Sequence, residues 1–231
     1  MNRTNYFYDR LLYFVPETLI LRTIKEQVLF GGFFMKRLEG TETAIALMRA
    51  FAGESQARNR YYFAASTADK EGYKQIKDIF ITTAENERAH AKVFYNLIVE
   101  GFQGKLPVNI NISAGYPVSS GSTADNLIAG VHGEHAEWSE AYPAFAKIAE
   151  REDFPEVATA FKLISTVEKH HEERFQKLYD NVRNSLVFHK DQKVQWICSN
   201  CGYIHEGTDA PTICPACKHP QSYFEIFTEA F

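Results

Sequence analysis

The first 197 residues contain no cysteine, and all four thiols, Cys198, Cys201, Cys214 and Cys217, fall in the last 34. Thiols confined to one short segment exclude a disulfide framework and point instead to a reducing compartment and a local metal site. An excess of basic charge is missing as well. With 25 Lys and Arg against 29 Asp and Glu the net charge is −4, which excludes a nucleic-acid groove or an anionic membrane surface as partner. Long unbroken hydrophobic runs are also absent. The most apolar stretch, "LLYFVPETLILRTIKEQVLFGGFF", is interrupted by Pro16, Glu17, Arg22, Lys25 and Glu26, which rules out a spanning helix and an ordinary signal peptide. Met35 opens "MKRLEGTETAIALMRAF", which reads as the ordinary start of a cytosolic domain. Residues 1–34 therefore stand as an extension or as the product of a start codon placed too early, and the expected localisation is cytoplasmic.

What the chain does have is helical period. Four segments, roughly 42 to 68, 73 to 101, 123 to 150 and 155 to 184, carry it with punctuation at their ends. Thr41 or Thr43 can cap the first, Ser122 or Thr123 the third, and Asp153 with Pro155 suits the start of the fourth. Short links, "DKEG" and "REDF", predict two antiparallel helical hairpins. Between them "GFQGKLPVNINISAGYPVSSGS" is too rich in Gly, Pro and Ser for helix, and its length fits a crossover running the length of a four-helix bundle.

Steps of three and four along each helix should trace an apolar face. In the fourth they trace Phe161, Ile164, Glu168, His171, Phe175 and Leu178; in the second, Ile76, Phe80, Thr83, Glu87, His90, Phe94 and Leu97. His171 lies on its stripe, whereas the adjacent His170 falls on the solvated side. The first helix gives Leu47, Phe51, Glu54 and Tyr61. The third gives Leu127, Val131, Glu134, Trp138, Ala141 and Phe145, with Glu137 one turn past Glu134. These positions repeat: Glu54 to Glu134 is 80 residues, and Glu87 to Glu168 and His90 to His171 are each 81. One Glu and His pair on an apolar stripe is usually a hydrogen-bonded core pair. Two such pairs with further carboxylates would repel at great cost unless cations neutralise them. Two divalent ions bridged by Glu87 and Glu168 meet that need, and carboxylate with imidazole suits iron or manganese.

The cysteines form two Cys-x-x-Cys knuckles, "CSNC" and "CPAC", the spacing of a tetrahedral four-thiolate site. Spacing alone leaves a structural zinc ribbon and a redox iron site equally open.

Taken with both sites, "FAGESQARNRYYFAAS", "TAENERAHAKVFY", "EWSEAYPAFAKIAE", "EKHHEERF" and "WICSNCGYIHEGTDAPTICPACKHP" resemble the rubrerythrin family over residues 35 to 231. The resemblance implies a mainly α protein: a ferritin-like four-helix bundle over residues 35–185, then a small rubredoxin-like domain over 186–231. It implies a non-haem di-iron centre on Glu54, Glu87, His90, Glu134, Glu137, Glu168 and His171, and one iron on Cys198, Cys201, Cys214 and Cys217. Glu87 and Glu168 match the bridging pair, and one iron is expected to exchange Glu137 for His90 on reduction. Tyr61 and Tyr142 match tyrosines that hydrogen-bond the carboxylates. His132 and His135, which flank Glu134, depart from the commoner pattern and read as surface groups or neighbours of the site. The implied activity is reduction of hydrogen peroxide to water, with Glu54, Glu87, Glu137, Tyr61 and Tyr142 in the catalytic machinery. Electrons would come from an NAD(P)H-dependent rubredoxin reductase or a rubredoxin, in a homodimer or higher homo-oligomer. A ferritin-like ferroxidase that handles iron is the competing reading, and a structural protein with two zinc sites is a third.

Overall fold

The computed structural model describes residues 36–229; the expectations about residues 1–34 lie outside them. Helices α1 (Glu42–Lys70) and α2 (Lys74–Gly101) form the first hairpin. The second consists of α3 (Thr123–Ala136), a π-helical turn (Glu137–Ala141), α4 (Tyr142–Arg151) and α5 (Pro155–Arg183). Strands β1 (His189–Cys198), β2 (Ile204–Asp209) and β3 (Phe224–Ile226) follow, antiparallel in the order β2-β1-β3. No helix among the described residues is long and apolar enough to cross a membrane.

Helix starts follow the sequence in two cases of three. The Thr41 hydroxyl accepts the Ala44 N–H, and Ser122 and Asp125 close a reciprocal capping box. Asp153 does not cap α5; it takes a left-handed φ of 63° in the preceding turn, and Phe154 is the N-cap with Pro155 behind it.

The sequence repeat is a physical one. Glu152, in the turn of the second hairpin, accepts from the Thr43 N–H (2.8 Å), the Thr43 hydroxyl (2.6 Å) and the Glu42 N–H (3.1 Å) at the start of α1. Glu71, in the turn of the first, accepts from the Thr123 N–H (3.0 Å) at the start of α3. Each hairpin thus caps the other. The same exchange recurs in the core, where Tyr61, Phe80 and Phe175 pack together at one level, and Tyr142, Phe161 and Phe94 at another.

One departure from the predicted periodicity matters. Trp138, Ala141 and Phe145 are only partly buried, whereas Tyr142, Ala146 and Ala149 are buried. The π turn takes up one extra residue and rotates everything after it. Glu54 to Tyr61 is seven residues and Glu134 to Tyr142 is eight, so the insertion is also what separates a spacing of 80 from one of 81.

The strand module sits against the α1–α2 turn: the Phe188 and Tyr73 rings stack at 6.1 Å, and Lys74 lies over the Tyr223 ring at 4.7 Å. Its own core centres on Trp196, whose indole N–H donates to the Gly207 carbonyl at 3.1 Å.

Because Glu152 takes three bonds where Glu71 takes one, Glu152→Ala is expected to cost about 1–2 kcal/mol and Glu71→Ala clearly less, read as urea midpoints at equal metal content. Hydrogen bonding to the Thr43 hydroxyl and backbone outweighs partial burial and lowers the Glu152 pKa from 4.5. A lowered folded pKa means that this stabilisation is complete above 4.5 and fades as pH falls through the folded value, so parent and Glu152→Ala midpoints should converge in acid.

Candidate metal centre

Midway along the bundle, Glu54 (α1), Glu87 and His90 (α2), Glu134 (α3), and Glu168 and His171 (α5) meet between the two aromatic layers, all of them buried. The i, i+3 spacing puts each Glu and His pair on one helical face. His90 Nδ1 lies 2.8 Å from Glu168 Oε1, 3.0 Å from Glu87 Oε2 and 3.7 Å from Glu54 Oε2. His171 Nδ1 lies 2.9 Å from Glu168 Oε2, 3.2 Å from Glu87 Oε1 and 3.8 Å from Glu134 Oε2. Glu87 and Glu168 therefore give one oxygen to each side, while Glu54 and Glu134 each serve one side. Both four-residue sets, Glu54–Glu87–His90–Glu168 and Glu87–Glu134–Glu168–His171, offer donor atoms within 4.8 Å of one another.

Several of these close atoms do not hydrogen-bond. Glu54 Oε2, Glu87 Oε1, Glu134 Oε2, both Glu168 oxygens and His171 Nδ1 are buried without a hydrogen-bond partner. Atoms that approach to about 3 Å yet are misaligned for hydrogen bonding share a direction toward a common point, which is how ligands of one cation are disposed. The remaining oxygens are held. The Tyr61 hydroxyl donates to Glu134 Oε1 and the Tyr142 hydroxyl to Glu54 Oε1, so in each terminal carboxylate one oxygen is anchored and the other is left for a cation. His171 Nε2 faces Asn86 Oδ1 at 3.3 Å, which fixes the ring with Nδ1 inward. Asn86 gave no signal in the sequence beyond its place beside Glu87.

Glu137 belongs to neither set. Its Oε1 stands 3.6 Å from where a Cβ on Gly53 would be, beside the Tyr116 ring at 3.7 Å from the same point. His135 and His170 are exposed; His135 meets Glu172 at 3.1 Å, and the Trp138 indole N–H also donates to Glu172.

Burial drives the Glu54 and Glu137 carboxyls well above the ordinary range, and burial with the Glu87 charge raises Glu134 to about 8. Burial also opposes ionisation of Glu87, but contacts with His171 and His90 outweigh it and hold this carboxylate at about 2. Burial disfavours an imidazolium at His171, yet Glu134, Glu168 and Glu87 outweigh it and raise the group to about 11; His90 shifts the same way. Protons balance the charge of the cluster wherever cations do not.

In the strand module, Cys198 and Cys217 sulfurs are 3.7 Å apart, as are those of Cys201 and Cys214. That is far beyond a disulfide, and a tetrahedron with metal–sulfur bonds of about 2.3 Å has edges of about 3.75 Å. Both knuckles close alike: the Gly202 N–H reaches the Cys198 carbonyl at 2.8 Å and the Lys218 N–H the Cys214 carbonyl at 2.9 Å, with left-handed φ of 77° and 64°. The His219 N–H favours the Cys217 thiolate and leads the fall of its pKa to about 5.

The family model for rubrerythrin matches residues 46–179, and that for the rubrerythrin rubredoxin-like domain matches residues 196–225. The chain belongs to the rubrerythrin family. It is 55% identical to Rubrerythrin-1 of Clostridium acetobutylicum over 197 residues, which cover 85% of this chain and all of that one. It is 52% identical to the rubrerythrin of Clostridium perfringens over 198 residues, again 85% of this chain and all of the relative. Among solved structures, nigerythrin in a partially reduced state superposes with a TM-score of 0.54 at 29% identity, covering 85% of this chain and 94% of that one. The fold is accordingly a ferritin-like helical domain followed by a rubredoxin-like strand domain. The rubrerythrin assignment also decides what cysteine spacing left open: the chain carries a di-iron Glu/His site and a rubredoxin-type four-cysteine iron site, and is an oxidoreductase in kind.

Two outcomes follow from the charge balance. Loading the bundle with divalent metal should expel protons, more at pH 7 than at pH 9.5, because the metal-free Glu134 carboxyl gives up its proton near 8; calorimetry in buffers of different ionisation enthalpy reads this. Tyr142→Phe, which frees the anchored oxygen of Glu54, should weaken metal binding at one position by roughly 10–100-fold in a competitive chelator titration.

Proposed function

We propose that this rubrerythrin is a cytoplasmic peroxidase that reduces hydrogen peroxide to water and so protects against oxidative stress. The observation that carries the reading is the pairing, in one chain, of a buried two-cation carboxylate site with a four-cysteine site of which Cys201 is exposed and Cys217 partly so. A site that only stores or oxidises iron has no use for a dedicated electron input; one that turns over an oxidant repeatedly does. We take Glu54, Glu87, His90, Glu134, Glu137, Glu168 and His171 as the bundle ligands, and Cys198, Cys201, Cys214 and Cys217 as those of the second site. The domain division proposed is an extension over 1–34, a di-iron bundle over 35–185 and a rubredoxin-like domain over 186–231.

When bound, two ferrous ions supply the two electrons that cleavage of an O–O bond requires. The protein contributes the rest. Glu87 and Glu168 hold the two positions adjacent, and the Tyr61 and Tyr142 hydroxyls fix the terminal carboxylates through one oxygen each. The aromatic layers exclude bulk water from both ends of the cluster. Glu137, standing just outside the two sets, is the carboxylate free to change partners. The electron source is an NAD(P)H-dependent rubredoxin reductase or a rubredoxin, and the working form is a homodimer or larger homo-oligomer.

The test is an anaerobic titration of fully reduced, iron-loaded protein with hydrogen peroxide while the visible bands of the four-cysteine iron are followed. Rapid return of those bands, at a stoichiometry that includes the electrons of the bundle, is expected. Oxidation of the bundle alone, with the cysteine site left reduced, would replace the peroxidase with an iron-oxidising protein of the ferritin class.

A further inference from the structure

The metal centre does not account for the space beside it. Between α1, the α3–α4 rod and the crossover lies a cavity of about 480 Å³, whose wall includes Glu137 and Tyr142. A water molecule occupies about 30 Å³ of liquid and hydrogen peroxide little more, so the cavity is roughly ten times larger than that substrate. Its wall is mostly apolar, with Ala50, Ala129, Ala136 and Phe145 from the helices, but Arg60 and His132 line it too, and Val118 at the crossover rim is 98% exposed. Tyr116 ties the crossover down: its hydroxyl donates to the Arg49 carbonyl at 3.0 Å, and its ring reaches the Gly53 floor next to Glu137. Arg49, on the same wall, has a buried Nε without a hydrogen-bond partner. A largely apolar hollow, open to solvent on the crossover side, that also presents Glu137, Arg49 and His132 is the form of a small-molecule site rather than of a water channel.

We propose that this cavity admits organic hydroperoxides with a compact apolar tail, so that the substrate class extends beyond hydrogen peroxide; the proposal rests on the peroxidase reading. The tail lies against the alanine wall under the crossover and the hydroperoxide group meets Glu137 and Tyr142. The O–O bond breaks, two electrons and two protons are taken up, and the alcohol and one water leave. The electrons come singly through the four-cysteine iron from a reduced nicotinamide nucleotide by way of its reductase, and the protons come from solvent.

The test compares cumene hydroperoxide with hydrogen peroxide on the iron-loaded protein under anaerobic turnover with a rubredoxin reductase. The expected kcat/KM for cumene hydroperoxide is within about tenfold of that for hydrogen peroxide, and Ala129→Leu, which fills the wall, lowers the ratio of the two by roughly fivefold or more. Equilibrium dialysis of cumyl alcohol against the resting iron-loaded protein should show binding that weakens in the same variant. Ala129→Val, a smaller intrusion, should give an intermediate effect should the leucine fail to fold. Hydrogen peroxide consumed normally with cumene hydroperoxide slower by about a thousandfold would overturn the cavity proposal and leave the peroxidase standing. An equal loss on both substrates in the Ala129 variants would also overturn it. Consumption of neither peroxide by the parent protein would remove the peroxidase reading and this proposal together.

Discussion

Four glutamates and two histidines packed in the middle of a helical bundle set a condition that the rest of the domain answers. Like charges this close, removed from water, are tolerated only if positive charge is shared among them. Glu87 and Glu168 do the sharing, since each faces both imidazoles. Because those two carboxylates face both positions, a change at one is felt at the other. The aromatic layers above and below make the cluster dry, and dryness is what makes the charge balance so demanding.

The two hairpins solve this condition twice and in exchange. Tyr61 of the first hairpin anchors Glu134 of the second, and Tyr142 of the second anchors Glu54 of the first. The turn residues Glu71 and Glu152 cross over in the same manner at the ends of the bundle. Neither hairpin is complete alone: each gains an additional bond at its first helix, an aromatic partner and half of the ligands when the other docks. Docking of the hairpins therefore brings the two halves of the site together.

Much of this was legible in the chain. Polar residues in the middle of stripes otherwise made of Ile, Leu and Phe gave Glu87, His90, Glu168 and His171, and the interval of 81 linked them. His170 was correctly set outside because one residue along a helix turns through about 100°. What failed was the stretch after Glu134. Following a constant period through Trp138, Ala141 and Phe145 assumes regular hydrogen bonding, and the π turn breaks that assumption. The one trace was an interval of 80 where the others were 81. Asp153 misled for a different reason: its side chain suits a cap, but the turn needed its backbone in the left-handed region. Asn86 and Tyr116 carried no pattern, since their roles depend on which helix or loop is laid beside them.

The single residue that enlarges the π turn also decides a matter of bookkeeping between otherwise matched halves. Duplication alone would make the two halves of the site mirror each other. The second hairpin also carries a carboxylate, Glu137, where the residue 80 places earlier in the first hairpin is Ala57, so the two halves are not chemically equivalent. The wider turn also brings Tyr142 rather than Ala141 into the core, so one added residue sets which side chains of the second hairpin face the first.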